Sequence, residues 1–149
     1  YEFDRYSIEY EGAGQRAFSP LFEWVEGTFY DGDRTEIIAG FDWRPNSRIN
    51  FGLSYEYNDI ELPAGDFLTR LIQVNANYSF NARWSWVNLI QYDNVSESAG
   101  INSRLRWNPR AGQDLFIVLN QGFDATGTFS GLKSDRSQFS VKYTHTFRL

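Results

Sequence analysis

Apolar and polar residues alternate one by one along most of this 149-residue chain, and that period leaves few folds open. In the closing segment, Phe139, Val141, Tyr143, Phe147 and Leu149 share one parity, broken only by His145, while Gln138, Ser140, Lys142, Thr144, Thr146 and Arg148 take the other. A period of two sets these groups on opposite faces of an extended strand. The pattern recurs at Tyr6–Tyr10, Ile37–Trp43, Ile49–Tyr57, Ile72–Phe80 and Ile101–Trp107. Three runs are less regular. Leu21–Tyr30 carries Glu23 and Glu26 on opposite parities, Trp84–Asp93 sets Asn88 in line with Trp84, Trp86, Ile90 and Tyr92, and Leu115–Phe123 opens with five apolar residues. Each still has the β-branched and aromatic content of a strand, and no window offers a helical period. The chain is expected to be all-β, with nine strands in one domain spanning residues 1–149.

Several strands run to about ten residues, longer than the usual globular strand of about five to six and long enough to cross a bilayer at a tilt. Three connections read as short turns: RPNSR, NAR and NPRAGQ. The others, DGDRTE, NDIELPAGD, NVSESAG and DATGTFSGLKSDR, read as longer or richer in acid and glycine, and the two kinds alternate. Short turns on one side and longer loops on the other mark an up-and-down transmembrane β-barrel. A weak repeat points the same way. FDWRPNSRINFGLSYEYND, YSFNARWSWVNLIQYDN and LRWNPRAGQDLFIVLNQGFD each hold an aromatic, a polar turn, a strand and a second aromatic. Trp43, Phe80, Trp84 and Trp107 stand beside the short turns, with Tyr57 and Tyr92 before the opposite loops. Rings at both strand ends suit two membrane interfaces, whereas a soluble sandwich needs only one aromatic inner face.

Composition narrows the partners. Aromatics make up 18% of the chain, and the net charge is −5, so the basic stripe that nucleic acid requires is missing. Without cysteine there is neither a disulfide framework nor a thiolate metal site. No stretch approaches the roughly 20 apolar residues of a membrane helix. A mean hydropathy of −0.49 agrees with a barrel, half of whose strand residues face a polar interior. Methionine is absent and the chain opens at Tyr1 inside a strand, so it reads as a mature or excised piece.

The polar parity would line the lumen. It holds Glu9, Glu11, Glu36, Asp42 and Glu56 early in the chain and Arg104, Arg106 and Lys142 late. Cross-strand ion pairs would stitch such a lining, and a charge-polarised pore that selects ions or sugars is the functional alternative. With a periplasmic C-terminus, nine strands would start downward and break the even-number rule of bacterial barrels. Strands preceding Tyr1 would repair this, and so would an eight-stranded wall without the first run.

Other constellations are weak. A single histidine, His145, assembles neither a triad nor a three-His metal site and suits an interfacial ring. Asp31 and Asp33 flank Gly32 without the further ligands of a calcium loop and read as a turn. Carboxylate pairs for glycoside hydrolysis need a separation that sequence does not supply. No catalytic residue, cofactor or metal ligand is assigned. A soluble β-barrel or sandwich that binds a ligand is the second reading, and an outer-membrane barrel enzyme the third.

YEFDRYSIEYEGAG, FYDGDRTE, SYEYNDIELPAGDF, QYDNVSESAGINSRLRWNPRAGQDLFIVLNQGFD and KYTHTFRL resemble the C-terminal region of a family of large bacterial outer-membrane proteins. That family joins an N-terminal carbohydrate-binding-module-family-nine-like domain to a long C-terminal β-barrel, and the W-x-P-x-x-G-x-D spacing at Trp107–Asp114 is the most specific part of the likeness. The resemblance implies an outer-membrane location and a scaffold or passive pore, linked to carbohydrate binding or uptake through the N-terminal domain. It implies outer-membrane lipid, lipopolysaccharide, other envelope proteins and the barrel-insertion machinery as partners. Tyr143, Phe147 and Leu149 would form the terminal signal for that machinery, Leu149 departing from the usual final aromatic.

Overall fold

A computed structural model describes residues 3–126 and 132–146. They form nine strands: β1 (Arg5–Glu11), β2 (Phe18–Phe29), β3 (Gly32–Asn46), β4 (Ile49–Leu62), β5 (Gly65–Ser79), β6 (Trp84–Asp93), β7 (Ser98–Arg110), β8 (Gln113–Asp124) and β9 (Lys133–His145). All belong to one antiparallel sheet in which spatial order equals chain order. The fold is all-β and up-and-down, with nine strands as the alternation predicts. Among the described residues no ladder joins β1 to β9.

Cross-strand register shows why the period holds. Trp43, Phe51, Ala76 and Asn88 follow one another across β3–β6, and Ile37, Tyr57 and Arg70 follow across β3–β5. The apolar parities of neighbouring strands therefore merge into one continuous face. The irregular runs fall into line. Glu26 lies on the apolar face opposite Tyr6 and Thr35, beyond its oily part. In β8, Leu115, Ile117 and Leu119 join the apolar face, whereas Phe116 and Val118 join the polar one opposite Arg106 and Arg104.

The strands outrun the expected connections. β3, β4 and β5 have 15, 14 and 15 residues, so only residues 30–31 and 63–64 remain as turns where DGDRTE and NDIELPAGD read as loops. The acidic side chains there continue the ladder, with Asp33 opposite Glu61 and Thr35 opposite Asp59. Charge at these positions does not break a strand, because it lies where the strand has left the apolar zone. Among the connections described in full, the contrast of short turns with long loops is accordingly absent. Residues 12–17, 47–48, 80–83 and 111–112 connect strands at one end, and 30–31, 63–64 and 94–97 at the other, where β8 ends and β9 begins. At the 111–112 turn Gly112 takes φ of 80°, the left-handed region that a residue with Cβ resists.

What distinguishes the ends is charge. Arg16, Arg44, Arg48, Arg83 and Arg110 sit at the first end, hereafter basic, and Asp31, Asp59, Glu61, Asp66, Asp93 and Glu97 at the second, acidic one.

Among the described residues no second layer covers the apolar face. Strands contact chiefly their neighbours in sequence. Val25 and Ala125 are the buried apolar residues among those described, while Ile8, Phe139 and Val141 are 59%, 67% and 57% exposed. The chain exposes 10907 Å², whereas a compact globular monomer of 17.3 kDa exposes about 7,800 Å².

Candidate functional site

The polar face gathers every charged residue that the alternation assigns to an enclosed interior. One row crosses the sheet from Glu9 through Glu23, Ile38, Glu56, Leu71 and Asp93 to Ser98. A second, nearer the basic end, runs Ser79, Ser85, Arg106, Phe116 and Lys142. Between them, Asn50, Asn77, Val87, Arg104, Val118 and Ser140 align. Glu36 lies opposite Val25 and Asn58, and Asp42 opposite Ser19 and Gly52. These acids and bases are thus separated along the strands as well as across them, whereas Arg34 beside Glu36 and Asp114 beside Arg106 mix the signs. Sequence reasoning recovers the second separation and misses the first, because depth along a strand depends on stagger between neighbours.

Two ion pairs occur among the described residues, and neither joins the early acids to the late bases. Arg34 meets Glu36 at 2.6 Å. Its Nη2 and Nε also donate to Asn58 Oδ1 at 2.8 and 3.2 Å. Arg106 meets Asp114 at 2.7 Å, and Asn108 Nδ2 donates to the same oxygen at 3.0 Å. Asp114 lies one residue beyond the Trp107–Leu115 level, toward the turn. Arg106 first, then Asn108, holds its carboxyl below the usual range. The Arg104 and Arg106 guanidiniums lie 5.9 and 6.0 Å from the Phe116 ring centre, which accommodates a large apolar group on a charged face. The expected stitching by cross-strand ion pairs is therefore limited to Arg106–Asp114. Amide contacts take its place in part, with Asn102 donating to Asn120 and Gln91 Nε2 to Gln73 Oε1 at 3.2 Å. Arg34 and Asn58 are missed in the sequence because their segments read as loops.

Rings stand toward both ends of the apolar face, and others, Trp24, Tyr55 and Trp86 among them, lie between. Trp84 and Trp107 stack at 5.5 Å, Phe80 meets Tyr78 edge-on at 4.8 Å, and Trp43 lies between Phe18 and Phe51. Toward the acidic end Tyr57 donates to Asp59 Oδ2 at 2.9 Å under the Arg70 guanidinium, and Tyr92 lies between Ile72 and Ala99. Asn88 breaks the apolar face opposite Ser103 and has its bonds supplied locally. Ser103 Oγ donates to Asn88 Oδ1 at 2.7 Å, Asn88 Nδ2 to the Ala76 carbonyl at 3.0 Å, and Trp86 Nε1 to Ser103 Oγ at 2.8 Å.

Tyr143 lies on the same face opposite Leu115, with His145 Nδ1 3.4 Å from its hydroxyl. Phe147 and Leu149 lie outside the described residues. Asp31 sits in the 30–31 turn, and among the described residues no group of three or more His, Cys, Asp or Glu is placed to hold a metal.

No family model and no curated protein matches the chain. Among solved structures it is similar to the KdgM porin, determined in complex with disordered oligogalacturonate. The identity is 10%, the TM-score is 0.48, and the match covers 98% of this chain and 76% of that one.

Proposed function

We propose that this sheet is wall of an outer-membrane β-barrel that serves as a scaffold or passive pore. The observation that carries the reading is the apolar face with nothing packed on it, bordered by rings at both ends. Water is a poor solvent for so large a contiguous apolar surface, and acyl chains are a good one. The dimensions agree. Trp84 to Tyr92 spans about 27 Å of strand. At a tilt of about 40° this becomes about 21 Å of depth, near the ~25 Å apolar band of such barrels. Trp43, Phe80, Trp84 and Trp107 form one interfacial girdle in this reading, and Tyr57 and Tyr92 the other. Glu9, Glu36, Asp42, Glu56, Arg104, Arg106 and Lys142 then face the lumen, and the free edges of β1 and β9 are closed by further strands of a larger barrel. Tyr143, Phe147 and Leu149 serve as the insertion signal, with the C-terminus in the periplasm.

Uncovered apolar surface disfavours a soluble ligand-binding sandwich, whose inner face would be buried by a second sheet. Refolding with and without detergent tests the reading. The protein should fold and stay monodisperse only with an amphiphile, and ion conductance after insertion into planar bilayers would distinguish a pore from a scaffold. A folded, monodisperse protein in plain buffer would overturn the membrane assignment.

A further inference from the structure

The pattern Asn-x-Arg recurs at three places at the basic end: Asn46-Ser47-Arg48 and Asn81-Ala82-Arg83 at turns, and Asn108-Pro109-Arg110 at the close of β7. In the first two the geometry repeats as well. Asn46 Oδ1 accepts from the Arg48 and Ile49 amides at 2.9 and 3.1 Å, and Asn81 Oδ1 from the Arg83 and Trp84 amides at 2.8 and 3.1 Å. Each asparagine fixes the backbone from which its arginine projects. A cavity of about 650 Å³ lies between these turns, and Arg48, Arg83, Arg106, Ser79, Ser85 and Asn81 contribute to its wall. No carboxylate lines it among the described residues. Arg48 and Arg83 take part in neither of the two ion pairs, and Arg106 engages Asp114 through Nε.

Two exposed guanidiniums outside either ion pair, Arg48 and Arg83, and a third that Asp114 engages through Nε, stand around one cleft beside hydroxyl and amide donors. Such a set suits a tetrahedral oxyanion, whose several oxygens accept from forked donors on different sides. We propose that this cleft binds a phosphoryl group, borne by a soluble phosphate or by a phospholipid headgroup. The site stands on the cavity and its donors, independent of whether the sheet conducts ions.

Trp84 also lines the cavity and supplies a fluorescence readout. The full chain in maltoside micelles is titrated with inorganic phosphate, and in nanodiscs it is compared between phosphatidylcholine alone and phosphatidylcholine with phosphatidylglycerol. Saturable phosphate binding in micelles, with chloride inert, identifies a soluble source. A response confined to the phosphatidylglycerol discs identifies a headgroup whose phosphodiester is not neutralised by a choline. In either case Arg48→Gln/Arg83→Gln should weaken binding roughly tenfold or more. Arg110→Gln, outside the cavity, should leave it unchanged. Arg48→Lys/Arg83→Lys keeps the charge and should fall between, which guards against a glutamine variant that fails to fold. No saturable response to either probe, or equal affinity in the wild type and both double variants, would overturn the site.

Discussion

Asn88 and Ser103 face each other where the period of two calls for hydrocarbon, and the contact is affordable because the Ala76 carbonyl and the Trp86 indole complete it. A hydrogen bond of this kind adds little net stability, but a stranded partner in an apolar setting costs its full desolvation. Ser103→Ala should therefore destabilise by about 1–3 kcal/mol, because it strands the Trp86 N–H and Asn88 Oδ1 together. Asn88→Leu/Ser103→Val still strands the Trp86 N–H but removes the Asn88 oxygen, so it should be less damaging than that single change, as read by urea unfolding in lipid vesicles. An additive or larger loss would contradict the network. In the sequence Asn88 shows only as an interruption. Its partner lies 15 residues away, and nothing in composition marks which serine it meets before the register is known. The same holds for Arg34, whose bonds to Glu36 and Asn58 depend on β3 and β4 extending past the apolar zone.

At the level of the strand, parity is the legible quantity and extent is not. All nine strands are foreseen, yet the acidic stretches around Asp33, Asp59 and Glu61 read as loops because charge resembles a terminator when depth is unknown. Parity assigns Val74 to the apolar face between Leu53 and Ile90, and Asn75 to the polar face between Gly52 and Leu89. Val74→Arg should thus cost about 2–4 kcal/mol of folding free energy in lipid, the range for a cation near the bilayer midplane. Asn75→Arg should cost clearly less, since the side chain enters a polar lining. Equilibrium refolding in vesicles of both variants checks this, and a costlier Asn75 substitution would mean that the faces are reversed.

For the molecule as a whole, the polar face holds a mainly acidic zone with Glu9, Glu23, Glu36 and Glu56 and a mainly basic zone with Arg104, Arg106 and Lys142, Arg34 and Asp114 being the exceptions. Charges of one sign lining a narrow aqueous path set which ions enter it. Arg104→Glu/Lys142→Glu should shift the reversal potential under a salt gradient toward cation preference, more at low salt than at high, where screening shortens to about 3 Å at 1 M. An unchanged potential would mean that current bypasses this face. The sequence shows the sign change along the chain but not its depth, which arises from stagger. Neighbour-only pairing across the nine strands has a further consequence. Every ladder closes a short span of chain, so contact order is low for a β protein, and assembly can proceed one hairpin at a time. Duplicating or deleting a hairpin changes the width of the sheet by two strands and leaves every other ladder intact, so a gene encoding this fold can widen or narrow it without inventing a new topology.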